Sequence, residues 1–433
     1  MKQLLLLVTA MGLIGHSSLC GEDPAAAKNV TALNVQSFDK VWSLVKERHW
    51  DSEAVGESWD RARDELRPKV EAAADQDAAR KVIGELIGRL NQSHFAVVPK
   101  EVYEEIEGDD DDGNNDKDGY TGLVIRERED KLIITQIHAD SPAAASVLRP
   151  GWTIEEVGKR TVADFLKVAR VTTKDGPMTR QTMIGLLGEK RSRGSIGDTL
   201  KLKCTDLEGK SHDVELTLTK APGTRVKLGN FPEMQVAITS KVDDNGIGYF
   251  AFSSFFDPQR MMEAYDELLS KSSTGLVIDL RGNHGGLVIL PPAIGSRLSG
   301  EGGKMGRMQM KGAKINLLMN PWADPYEKPV AILIDECSIS AAEILAGGLK
   351  DLKLARVFGS RTAGLVLPST FERLPNGDGI QYAFADYRSA SGDTLEGIGV
   401  TPDEEVELTT DAYKKAADPV FARASEWIQS QSD

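Results

Sequence analysis

The sequence predicts a multidomain α+β protein, and three changes of pattern along the chain carry that prediction. Residues about 36–105 repeat apolar side chains at helical spacing, as in Phe38, Val41, Trp42, Leu44 and Val45. Residues about 119–222 are a series of short apolar strands broken by turn residues, and residues about 223–433 alternate strands with helices. The chain has 433 residues, enough for two or three domains. Its 40% hydrophobic and 27% charged content suits globular cores. A net charge of -14 argues against nucleic acid, and against an anionic membrane surface, as a partner.

Taken in order, residues 1–20 read as a signal peptide. Lys2 is a minimal positive start, Leu4 to Ile14 is an apolar run too short to span a bilayer, and small residues follow at His16–Gly21. Cys20 raises the question of a lipid anchor, but Leu19 is large for the position before a lipidated cysteine. The expected product is exported, periplasmic or extracellular, with no integral membrane segment after cleavage. The helical domain, 30–106, contains apolar faces near Trp59–Leu66 and on Val82, Ile83, Leu86, Ile87 and Leu90. It stops at Asn91-Gln92-Ser93-His94, before an extended Phe95–Val98. Residues 107–118 form an acidic linker. Asn114, Asp116 and Asp118 imitate the start of a calcium loop, but Ile125 stands where a bidentate glutamate is needed, so no metal is expected. No cofactor is expected either. With Cys20 removed, Cys204 and Cys337 remain, which is no disulfide framework.

The domain at 119–222 runs through Gly122-Leu123-Val124-Ile125, Asp140-Ser141-Pro142-Ala143-Ala144 and Leu148–Ile154. This series resembles a PDZ domain, with Trp152 in place of the usual aspartate. The resemblance implies a groove in which Gly122, Leu123, Val124 and Ile125 receive an extended peptide and its C-terminal carboxylate. The stretch 172–195 reads as a long insertion in it. The remaining domain, 223–433, has strands at Gly246–Phe252 and Gly275–Asp279, a helix at Gln259–Leu269, and a buried strand at Val330–Ile334.

Two segments of that domain carry chemistry. Asp279-Leu280-Arg281-Gly282-Asn283-His284-Gly285-Gly286 ends a buried strand in a turn whose glycines can aim N–H groups at a ligand. Ser338-Ile339-Ser340-Ala341-Ala342-Glu343 lies between a strand and a helix, where hydrolases place an attacking hydroxyl and where helix N–H groups meet a developing oxyanion. Ser340 and Glu343 also fit an ordinary capping box. Together the two segments resemble the S41 peptidases, the C-terminal processing and tricorn-type proteases, over nearly all of the mature chain. That resemblance implies a mixed α/β, crotonase-like catalytic core with Ser340 as nucleophile. It implies an oxyanion hole of Ala341 with Gly285 or Gly286, and polypeptide substrates.

The base is the discriminating question. One branch of the family has a lysine after the nucleophile's helix; here Leu365 holds that position, and no lysine occurs from Ala355 to Tyr413. The tricorn-like branch has Ser-His-Glu. Leu90-Asn91-Gln92-Ser93-His94 and Leu395-Glu396-Gly397-Ile398-Gly399-Val400 resemble its two motifs, which implies His94 as base and Glu396 as the orienting carboxylate. A neutral imidazole can take the serine proton, and a carboxylate can fix its tautomer. Ser93 can help to position the ring. His284, beside the glycines, is the rival base; His49, His138 and His212 read as packing or surface residues. The reading is an exported serine endopeptidase. Its alternatives are a non-catalytic peptide-binding protein of the same fold and, less consistent with the strand-rich domain, an esterase. Oligomeric state and specificity are not legible.

Overall fold

The computed structural model describes residues 24–100, 118–173, 178–228 and 233–431. The signal segment at 1–20 lies outside them, and so does the acidic linker up to residue 117. Among the described residues no helix is long and apolar enough to cross a membrane.

A six-stranded sheet organises the C-terminal domain, in the order Ile238–Val242, Ile247–Phe252, Gly275–Asp279, Val330–Ile334, Arg356–Gly359 and Glu404–Glu405. The first pair is antiparallel and the others are parallel. Parallel strands need crossovers, which cover both faces with helices, and so the strands are apolar on both sides. Alternate side chains serve the two layers. Phe250, Ile278, Ile332 and Val357 pack with the helix Ala341–Asp351. Ile247, Val277, Leu333 and Phe358 pack with the helix Pro419–Ser430. The central strands Gly275–Asp279 and Val330–Ile334 are neighbours, with Asp279 opposite Leu333. The glycine turn and the Ser340 turn therefore leave adjacent strand ends on one edge, where open α/β sheets place their ligands.

The N-terminal helices Pro24–Arg48, Glu57–Glu71 and Gln76–Gly88 do not close a core alone. Phe38, Trp59, Leu66, Ile83 and Leu86 share one with Leu367, Leu374, Ile380 and Tyr382. Leu367 precedes, and the other partners belong to, the hairpin of Ser369–Arg373 and Gly379–Ala383, far along the chain. The strand Ala96–Val98 adds to it, Ala96 opposite Gln381. The buried Asp378 seals the joint, accepting from Arg80 Nη2 and from the Lys100 N–H, both at 2.7 Å. A buried carboxylate is tolerable only when paired in this way. The packing unit thus crosses the sequence boundary near 106 and brings residues 93–98 to the C-terminal domain.

The strand-rich domain has an antiparallel sheet in the order Leu123–Arg128, Lys131–Ile137, Thr153–Val157, Thr199–Thr205 and Ser211–Thr217. Within the stretch expected as an insertion, the helix Arg180–Arg191 is no surface excursion: its residues Thr182–Gly188 are all buried. The helix lies directly on the strand Leu123–Arg128. A Cβ at Gly188 would come within 2.9 Å of Ile125 Cβ, so only glycine permits the approach. Leu123, Val124 and Ile125 are 4%, 8% and 0% exposed, so the expected peptide groove is covered in this structure.

Candidate active site

Ser340 sits at the end of the turn that follows Val330–Ile334, as the N-cap of the helix Ala341–Asp351. Its φ of 58° and ψ of -117° put a non-glycine residue in a sparsely populated region, at a cost of about 1–3 kcal/mol. The surroundings enforce it. The Ser340 N–H is shared between the Leu365 carbonyl at 2.9 Å and Glu343 Oε2 at 3.0 Å. Asp335 Oδ1 accepts from the N–H groups of Gly282 and Cys337, and Ser338 Oγ donates to the Leu280 carbonyl. Of the capping box, the Glu343 half is made. The Glu343 N–H also reaches the Ser340 carbonyl at 2.8 Å.

The glycine turn packs against it. Asn283 shapes this turn, donating to the Phe252 carbonyl at 2.6 Å, accepting from Gly285 N–H at 2.9 Å, and accepting at its carbonyl from Ile339 N–H. Gly285 has φ +84°, and a Cβ there would lie 2.7 Å from Ser340 Cβ and 2.9 Å from Ala341 N. Its own N–H is spent on Asn283. The N–H of Gly286 makes no hydrogen bond among the described residues, and nor does that of Ala341 at the first helical position. Of the two glycines, Gly286 is therefore the one with a donor to offer, and Gly285 supplies the room. Arg281 anchors the turn from behind: it pairs with Asp279 and, at 2.7 Å, with Asp418, the N-cap of Pro419–Ser430.

His94, Ser93 and Glu396 form one hydrogen-bonded chain. Glu396 Oε1 accepts from Ser93 N–H at 2.8 Å. Its Oε2 accepts from Ser93 Oγ at 3.0 Å and from Val366 N–H at 2.9 Å. Ser93 Oγ lies 2.7 Å from His94 Nδ1. Glu396 thus reaches His94 through Ser93 rather than directly. The hydroxyl has one proton, and a carboxylate can only accept, so Ser93 donates to Glu396 and accepts from Nδ1–H. That leaves a lone pair on Nε2. His94 is buried, with its own strained φ of 61°. Burial pushes its pKa down to about 4, which keeps the ring neutral near pH 7. Burial also raises the Glu396 carboxyl, against the pull of the Val366 and Ser93 N–H groups.

Leu365 and Val366 join the two halves: Leu365 O holds the Ser340 N–H while the next N–H holds Glu396. Ser340 Oγ and His94 Nε2 do not themselves hydrogen-bond in this structure. The Leu365 side chain, at the lysine position of the other branch, packs with Leu186, Ile339 and Ala363. His284 faces elsewhere. Its Nε2 is 3.2 Å from Glu189 Oε2, on the helix Arg180–Arg191. Burial would raise the Glu189 carboxyl, but His284, Arg126 and Arg193 together hold it down at about 2. The strand-rich domain is docked onto the site by buried ion pairs, Arg126 to Asp335 at 2.8 Å and Arg128 to Glu336. Neither these pairs nor the Glu189–His284 contact has a sequence signal, because their partners come from different domains. His49 stacks on Trp50 and His212 on Trp152, as packing residues do.

Residues 246–406 match peptidase family S41, and residues 34–88 match the tricorn protease C1 domain. The chain is 24% identical over 430 residues to carboxyl-terminal-processing peptidase 3, chloroplastic, of Arabidopsis thaliana, covering 94% of this chain and 78% of that protein. It is 24% identical over 259 residues to the carboxy-terminal processing protease CtpA of Bacillus subtilis, covering 55% of each. Among solved structures it resembles the photosystem II D1 C-terminal processing protease, with a TM-score of 0.57, 18% identity and coverage of 89% of this chain and 98% of that one. The mixed α/β multidomain fold resembles that of these proteases, and the protein is a serine peptidase, a hydrolase, similar over residues 246–406 to family S41.

Proposed function

We propose that the protein is an exported endopeptidase that cleaves polypeptides through an acyl-enzyme on Ser340, with His94 as general base oriented through Ser93 by Glu396. The observation that carries this reading is the Glu396–Ser93–His94 chain, which leaves the lone pair of a neutral imidazole on Nε2 and is tied through Val366 and Leu365 to the Ser340 turn. Attack requires Nε2 to take the Ser340 proton, so substrate binding has to tighten Oγ and Nε2 into contact, as is common when free sites close. The tetrahedral oxyanion would be met by the N–H groups of Ala341 and Gly286. The imidazolium then protonates the leaving amine, and water repeats the cycle on the ester.

Guidance by a substrate C terminus at Gly122–Ile125 is part of the proposal. It requires the helix Arg180–Arg191 to lift from the strand it now covers. Export is proposed from residues 1–20. A fluorophosphonate probe tests the chemistry: it is expected to label Ser340, and labelling should vanish in Ser340→Ala and fall steeply in His94→Ala. Peptide hydrolysis should drop roughly 10⁴–10⁶-fold in either variant. Undiminished labelling in His94→Ala, with loss in His284→Ala, would transfer the base to His284. Absence of any labelling would favour a peptide-binding role without turnover.

A further inference from the structure

Glu343 is buried at 0% exposure, and the acyl-transfer steps make no use of it. Its carboxylate nevertheless gathers four donors from two segments. Oε1 accepts from Thr362 Oγ1 at 2.7 Å and Gly364 N–H at 2.8 Å. Oε2 accepts from the N–H groups of Ser340 and Leu365, both at 3.0 Å. One carboxylate thus ties the nucleophile's own amide to the loop at 362–365. The same loop then gives Val366 N–H to Glu396, and Thr362 Oγ1 accepts from Val400 N–H at 2.6 Å, in the segment that carries Glu396. Glu343 thus holds the Ser340 turn directly and the Glu396 segment through the loop at 362–366.

We propose that Glu343 is a positioning residue for Ser340, and that only its ionised form holds the nucleophile turn and the Glu396-bearing loop in register. The inference rests on Ser340 being the nucleophile. The reason lies in proton counting. A protonated carboxyl must donate its hydrogen, yet three of its four partners are N–H groups that cannot accept. The fourth, Thr362, can accept the proton only by giving up its own donation to Oε1, since its second lone pair is the one left by Val400. Protonation therefore reverses the Thr362 bond or displaces an N–H, and it removes the charge that strengthens the bonds to Ser340 and Leu365. All four partners are uncharged. From the facing strand Ala385–Ser389, the Tyr387 phenol donates to the Met305 carbonyl; its pKa is raised first by burial and then by the charges of Asp351 and Glu343. Burial pushes Glu343 up to about 7, against the lowering effect of its four hydrogen bonds. The clamp would thus be made and broken near neutrality, whereas His94 titrates near 4.

The test is the pH dependence of kcat for peptide hydrolysis, with fluorophosphonate labelling of Ser340 measured in parallel. Wild type should show an acid limb near pH 7, rising as Glu343 ionises. Glu343→Gln keeps the shape but faces N–H donors with an amide. It should lose the limb near 7, keep only the limb of His94 near 4, and run roughly 100-fold below wild type at pH 8 with KM unchanged. Thr362→Val removes one bond that favours the anion, so its limb should move to higher pH; this variant decides the matter if Glu343→Gln fails to fold. A limb near 7 that survives in Glu343→Gln, or a limb that stays put or moves down in Thr362→Val, overturns the inference and leaves the nucleophile standing. Labelling that survives Ser340→Ala overturns both.

Discussion

Ser93→Ala isolates the relay, because it deletes one hydroxyl and little else. In the native site that hydroxyl lies 2.7 Å from His94 Nδ1 and 3.0 Å from Glu396 Oε2. Its loss leaves Nδ1–H buried without an acceptor, a penalty of about 1–3 kcal/mol. Glu396 stays in place, since the N–H groups of Ser93 and Val366 still hold it. The penalty therefore falls on the orientation of the imidazole and on the imidazolium formed during attack. At about 1.4 kcal/mol per decade, kcat should fall roughly 5- to 150-fold. That is far short of the loss from removing His94, because the charge of Glu396 remains one residue away. KM should hold and the far-ultraviolet spectrum should match wild type. Steady-state hydrolysis of a fluorogenic peptide, checked by the rate of fluorophosphonate labelling, reads both. A variant within twofold of wild type would refute the relay, as would a loss as large as that of His94→Ala.

Other consequences of the structure can be measured directly. Gly285→Ala should cut kcat at least as much as Ser93→Ala, because the new methyl meets Ser340 Cβ and Ala341 N at under 3 Å where φ is +84°; a wild-type rate would remove this glycine from the site. Asp335→Ala should leave the buried Arg126 with Glu189 alone, at 3.2 Å, and destabilise the protein by up to about 3–5 kcal/mol, visible as a lower denaturant midpoint. The pH dependence of stability has two opposing contributions. His94, lowered from 6.5 to about 4, stabilises above 6.5 and loses that contribution as pH falls through 4. Glu343, raised from 4.5 to about 7, stabilises below 4.5 and loses that contribution as pH rises through 7. Each is worth ~3 kcal/mol, so the two nearly cancel in wild type. His94→Ala should expose the second, with stability relative to wild type falling by ~3 kcal/mol from pH 4 to 6.5; a constant difference would contradict the shifted histidine.

Local chemistry carried much of this into the sequence. The strand Val330–Ile334, the helix after Ser340 and the glycine turn are legible because strands and helices have fixed periods and because a tight turn needs glycine. The segments that carry Ser340, His94 and Glu396 stand out as motifs, and Leu365 excludes a lysine at its position. Other features depend on which surfaces meet. The placement of His94 follows from helices that close their core on the hairpin at 369–383, a partner that no periodicity names. The helix Arg180–Arg191 looked like an insertion because its burial comes from facing Leu123–Arg128 and the catalytic domain. The choice of Gly286 over Gly285 as a donor rests on where Asn283 points. Ser93 as the link between His94 and Glu396, and Glu343 as more than a cap, emerge only when residues 93, 340, 343, 362–366 and 396 share one buried volume. Sequence by itself determined which groups could do chemistry, since that is a property of residue type and local backbone. Tertiary structure decided which of them touch, because hydrogen bonds reach about 3 Å and chain separation says nothing about distance at that scale.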